Sequence, residues 1–188
     1  MPSDSNFNID PPFPRMILRT LSPLVYLAVR TDKNDMLRLV WLLYLADKYR
    51  LLSYGETITG DSHVFTTAGP SGRIAMSLMN LWPQVYEAYH EQLTSDLSMA
   101  DLLGHTDAEA LDFALSAFGP LTTVQLSEYV RSLPECAQAG GKDSGDTGVR
   151  TISQAEMLLH PDGDTYFVVP LAHLKERQAW TTGRSGCR

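Results

Sequence analysis

Trp41-Leu42-Leu43-Tyr44-Leu45-Ala46-Asp47-Lys48-Tyr49 decides the fold. From Met36 to Ala46 the only charged residue is Arg38, and a helix apolar on every side has no wet face, so it belongs in the middle of the molecule. Thr31 or Asp32 can cap its start, and Gly55 is its natural stop, because glycine takes the left-handed residue that ends helices. Beyond it lies a glycine-punctuated excursion, Gly55-Glu56-Thr57-Ile58-Thr59-Gly60-Asp61-Ser62-His63-Val64-Phe65, and then Gly69-Pro70-Ser71-Gly72-Arg73.

Working outward, Met16 to Arg30 carries apolar residues at helical spacing, with Pro23 expected to break or restart the helix. Thr57–Thr59 and His63–Thr67 read as two short strands or an irregular hairpin. Ser71 or Gly72 starts a helix through Ile74 and Leu78, and Pro83 opens another. Thr106-Asp107-Ala108-Glu109 and Thr122-Thr123-Val124-Gln125 both have the form of a capping box, each starting a helix. Ala155–His160 and Thr165–Val169 flank Pro161-Asp162-Gly163-Asp164, a hairpin signal. The expected class is α+β, mainly α, with a few short strands and a C-terminal hairpin around one buried helix. Residues 1–14 read as a loose arm, 15–180 as a single globular domain with a flexible loop at 140–148, and 181–188 as a frayed tail.

The 188 residues suit one domain with a core that needs no disulfides. A formal net charge of -7 is poorly suited to gripping phosphate backbones. Two cysteines, Cys136 and Cys187, stand far apart without paired spacing, as expected in a reducing cytosol. The polar, acidic stretch Met1–Asp10 does not read as a signal peptide, and no apolar run reaches bilayer length, so the expected location is cytoplasmic and no membrane partner is expected.

The order Leu-Leu-Tyr-Leu-Ala-Asp at 42–47, Tyr54-Gly55, Ile58-Thr59-Gly60-Asp61 and Gly69-Pro70 resembles the Panacea domain, the SocA-like, phage-associated antitoxin family. The likeness covers about residues 36–80, with a looser echo from Leu126-Ser127-Glu128 to Pro134-Glu135. Trp41 stands where the family has lysine, and Ala68-Gly69-Pro70-Ser71 where it has Tyr-Gly-Pro-Val, which marks a divergent member. The resemblance implies an antitoxin, not an enzyme, that binds its cognate toxin directly. That toxin is usually encoded next door, and one relative of this type also looks like an adaptor that delivers its toxin to a protease. It implies no metal and no cofactor. Tyr44, Asp47, Gly60, Asp61, Gly69 and Pro70 would define the domain, with Arg73 a candidate for touching the partner.

Some residues allow other chemistry. Asp61 and His63 can share one face of an extended segment and hold a metal or serve a hydrolase; the plainer reading is that Asp61 caps the turn after Gly60 and His63 begins a strand. No Gly-x-Ser-x-Gly elbow occurs. Gly69–Arg73 at a helix start could bind an anion, but lacks the fuller phosphate-loop pattern. Asp47 must reach solvent or find a partner, with Arg50 or Arg73 as candidates. Residues 107–133 have the shape of a helix-turn-helix, so a DNA-binding regulator of a phage or mobile element is the alternative; the second helix has no basic face, and nucleic acid is not the expected partner.

Overall fold

The computed structural model describes residues 15–32, 34–95, 103–137, 148–159, 164, 166 and 167. Helix α1 (Arg15–Arg30) leads to α2 (Met36–Tyr54), then strands β1 (His63–Thr66) and β2 (Gly69–Gly72). A short helix α3 (Arg73–Leu78) and a 3-10 turn (Met79–Leu81) run into α4 (Trp82–Ser95). After these come α5 (His105–Phe118), α6 (Thr123–Ser132), the single turn α7 (Pro134–Ala137), β3 (Arg150–Ile152) and the single turn α8 (Gln154–Met157). The α+β, mainly helical class expected from the sequence is what the structure shows.

Helix α2 is the axis. Every residue from Leu39 to Lys48 is buried, and α1, α5, α6, α8 and β2 all pack on it. An apolar helix gains most when every side is covered, and this one is. Gly55 ends it as expected, in the left-handed region at φ 84 and with its N–H bonded to Leu51 O. The cap at its start is Asp35 rather than Thr31 or Asp32: Asp35 Oδ1 accepts the Arg38 amide at 3.1 Å and Oδ2 accepts the Thr123 hydroxyl at 2.6 Å. One carboxylate thereby caps α2 and anchors the first turn of α6.

Several local expectations give way to packing. Pro23 lies inside an unbroken α1, because residues 20–28 are all buried and the tertiary burial outweighs the local penalty. Helix α5 starts at His105 with Gly104 as its cap, Asp107 accepting the Gly104 amide at 3.1 Å; Glu109, expected to complete a box with Thr106, instead accepts from the hydroxyls of Tyr49 and Tyr54. The Thr122/Gln125 box forms as read: Thr122 N donates to Gln125 Oε1 at 2.9 Å and Gln125 N to Thr122 Oγ1 at 3.2 Å.

The sheet has the order β2-β1-β3, with both pairs antiparallel. His63 faces Gly72 on one side and Ile152 on the other; Phe65 faces Pro70 and Arg150. Pro70 is accommodated because β2 is an edge strand. Thr57–Thr59 is not a strand. Ala155–His160 does not supply a hairpin arm either, because Ser153 and Glu156 form a capping box that turns 154–157 into α8. The arm 1–14, nearly all of the loop 140–148, most of 165–169 and the tail 181–188 lie outside the described residues. Among the described residues, no helix is long and apolar enough to cross a membrane.

The turn between β1 and β2 is clamped from two helices. Trp41 Nε1 of α2 donates to Ala68 O at 3.1 Å, and the Arg131 guanidinium of α6 donates to Thr67 O. Gly69 follows at φ 111, where side chains are rarely tolerated, and a Cβ there would lie 3.0 Å from Trp41 Nε1. Gly69→Ala is therefore expected to cost about 1–3 kcal/mol of stability. Urea unfolding of the two proteins checks this, and an unchanged midpoint would refute the assignment of strain.

Candidate functional site

The excursion from Thr57 to Gly72 is assembled on one buried carboxylate. Asp47 is 1% exposed, and burying an unpaired charge that deeply is costly. Its Oδ1 accepts the amides of Ile58 at 2.7 Å and Thr59 at 3.1 Å, and its Oδ2 accepts the Thr59 hydroxyl at 2.6 Å. His63 Nε2 lies 3.0 Å from Oδ2; a carboxylate can only accept, so that ring nitrogen carries the proton. Asp47 thus neither reaches solvent nor pairs with Arg50 or Arg73. Arg50 binds Asp107 and the carbonyls of Glu56 and Thr57, and Arg73 is exposed.

Asp61 also has a structural duty, though not the one expected. Its Oδ2 accepts the Ile74 amide at 2.7 Å, capping α3 rather than only the turn after Gly60. That cap requires Gly72, where a Cβ would sit 2.3 Å from Asp61 Oδ2. Gly60 itself is exposed at φ 65. Asp61 and His63 are therefore directed to different partners. Among the described residues, no three His, Cys, Asp or Glu side chains come together as a metal-ligand set.

Beside Asp47, the structure shows a second buried network that the sequence reading missed. Lys48 and Glu135 are both fully buried, with Lys48 Nζ 2.6 Å from Glu135 Oε1 and 2.8 Å from Leu159 O. The Tyr44 hydroxyl donates to the same Oε1 at 2.9 Å, while its ring meets the His63 ring edge-on at 5.5 Å. Tyr44 therefore joins the two charge networks. The signal was present: Tyr44 and Lys48 are four apart, hence on one face of α2, and Glu135 lies in the echo region.

No protein-family model, curated protein or solved structure matches this chain.

Burial lowers the Lys48 ammonium below the ordinary lysine range, and the Glu135 charge opposes that only in part. Burial first, and then the charge of Glu135, raises Tyr44 well above the usual phenol. The Cys136 thiol is pushed up to about 12 by burial and by Glu135, which keeps it protonated and unreactive. Tyr44, Lys48 and Cys136 are all buried, with Lys48 held by Glu135 and the Leu159 carbonyl.

Two outcomes are expected. Asp47→Ala orphans the Ile58 and Thr59 amides and His63, and should cost about 3–5 kcal/mol, with hydrogen exchange at Ile58 and Thr59 rising first; unchanged protection there would refute the anchoring role. Lys48→Met and Glu135→Leu should each cost about 3–5 kcal/mol, while the double variant recovers most of that loss. The unfolded chain holds the Lys48 proton to a higher pH than the folded one. Stability therefore rises with pH between the lowered folded value and the ordinary lysine value of 10.5, and that gain is lost as pH falls back through the interval. Urea midpoints against pH should show that slope in the wild type and lose it in the double variant.

Proposed function

We propose that this chain is an antitoxin, a divergent Panacea-type domain that neutralises a cognate protein toxin by binding it directly and covering its active surface. The observation that supports this reading is the use to which the motif residues are put. Asp47, Asp61 and Gly69 hold one excursion in place through hydrogen bonds and close packing, Tyr44 packs on His63, and Pro70 pairs with Phe65 in the sheet. What that scaffold presents outward is a rim of exposed residues at Gly60, Ser62, Thr67, Ala68 and Arg73. A rim fixed before contact loses little conformational entropy on binding, which favours recognition of another protein. The partner would be the product of the neighbouring gene, and the acidic chain suits a basic surface on it. Delivery of the toxin to a protease is a second use of the same surface.

The DNA-binding alternative is weakened by a specific contact. The single arginine of α6, Arg131, is tied to Thr67 O, and the exposed residues of that helix include Val124, Gln125 and Glu128. A helix that presents a carboxylate and a valine offers phosphates little to hold.

Co-expression with the neighbouring open reading frame tests the reading. The neighbour should be toxic alone, harmless with this chain, and co-purify in fixed ratio. Arg73→Glu should reduce capture of the neighbour while leaving the melting temperature unchanged, since Arg73 is exposed. A harmless neighbour and an empty pull-down would sink the proposal.

A further inference from the structure

A pit of about 20 Å³ lies between the start of α2, the turn from β1 to β2, and the stretch from Met76 to Met79. Leu37 and Val40 of α2, with Met76 and Met79, make an apolar wall, and Ala68, an exposed residue of the rim, stands at the mouth. Ser71 belongs to the same lining. A Cβ on Gly69 would face Trp41, and Ser71, two residues on in β2, shares that face of the strand and looks onto α2. Ser71 is 5% exposed, and its hydroxyl has no hydrogen-bond partner among the described residues. A buried hydroxyl left unpaired costs free energy. The pit thus offers one unanswered polar group in an apolar surround.

Size and chemistry together restrict the occupant. The other hydrogen-bonding side chains of the lining are already engaged. Trp41 Nε1 donates to Ala68 O, while the Thr66 hydroxyl donates to Gly69 O at 3.2 Å and accepts the Ala68 amide at 3.1 Å. The volume admits one small group, since a single water needs roughly 10–15 Å³; an aromatic ring or a long side chain does not fit. A water is held firmly by roughly two to four polar partners, and here one open hydroxyl faces carbon and sulfur. A short side chain that carries a hydroxyl on a carbon matches better. Its oxygen meets Ser71, and its carbon packs on the wall.

We propose that this pit receives a serine or threonine side chain of the partner protein, its hydroxyl bonded to Ser71 Oγ. The proposal rests on the reading of the chain as a protein-binding antitoxin and names the chemistry of one contact at the rim. In the free chain, Ser71→Ala removes an unpaired buried hydroxyl and should raise the urea midpoint. A midpoint that does not rise shows that a water already bonds the hydroxyl, and overturns the proposal. Acetyl-threonine-methylamide titrated into the isotopically labelled full chain should shift the Trp41 indole N–H and Ser71 amide resonances. Acetyl-valine-methylamide, of the same shape without the hydroxyl, should bind about fivefold more weakly. Equal shifts with both probes, or no shift with either, overturn the proposal. In co-expression, Ala68→Leu closes the mouth from an exposed position and should lower capture of the neighbouring protein by more than about tenfold at an unchanged melting temperature. If the wild type captures its neighbour and Ala68→Leu does so equally, the pit assignment fails and the antitoxin reading stands. If the wild type captures nothing, that reading fails, and the titration still decides the chemistry of the pit.

Discussion

A carboxylate placed in the buried body of a largely apolar helix must be satisfied by something, and Asp47 is satisfied by the chain that follows its own helix. The amides of Ile58 and Thr59, the Thr59 hydroxyl and the His63 ring all turn inward to meet it. The segment between α2 and β1 therefore has a fixed course without belonging to a sheet or a helix. The position of His63 sets where β1 begins, and β1 in turn sets the register of β2 and β3. Asp61, two residues before His63, is carried to the start of α3 by the same geometry. One desolvated charge accordingly fixes the site's shape, because its alternative conformations all leave a charge unpaired in a medium that cannot solvate it.

Lys48 poses the opposite problem at the next position. Its partner Glu135 holds it through Oε1, but Oε2 of the same carboxylate is buried without a hydrogen-bond partner. Such a pair is a weak source of net stability, since desolvating both groups offsets most of their attraction. Its value is specificity. The observed docking of α7 and of the chain near Leu159 brings both an acid and a carbonyl to Lys48 Nζ, and an arrangement that lost both would leave a buried ammonium unpaired even where it buries equal apolar area.

How much of this was legible in the sequence follows the range of the interactions. The buried axis, its stop at Gly55 and the Thr122 cap depend on residues a few positions apart and could be read directly. The start of α2 was misassigned because Asp35 serves two helices at once, and the second, at Thr123, is remote in sequence. Pro23 misled because the local rule is overridden by burial around it. The partners of the motif residues were not legible: Asp47 is read from the sequence as reaching solvent or pairing with Arg50 or Arg73, and it instead binds backbone amides, which no side-chain pattern advertises. Gly72 is read from the sequence as one of two possible helix starts, and it does cap α3, but its missing side chain is also the space into which Asp61 fits, which no local pattern shows.

The two adjacent charges on α2 also imply an order of assembly. Asp47 finds its partners within 16 residues of itself, all before the first strand is complete. Lys48 waits for chain 87 and 111 residues away. Loop-closure entropy separates the shortest and longest of these closures by about 2 kcal/mol. On a ribosome, the excursion can close over Asp47 while the C-terminal half is still unmade. The part of the rim at Gly60 and Ser62 is therefore shaped early, while the turn at Thr67 and Ala68 gains its second clamp only when Arg131 of α6 arrives.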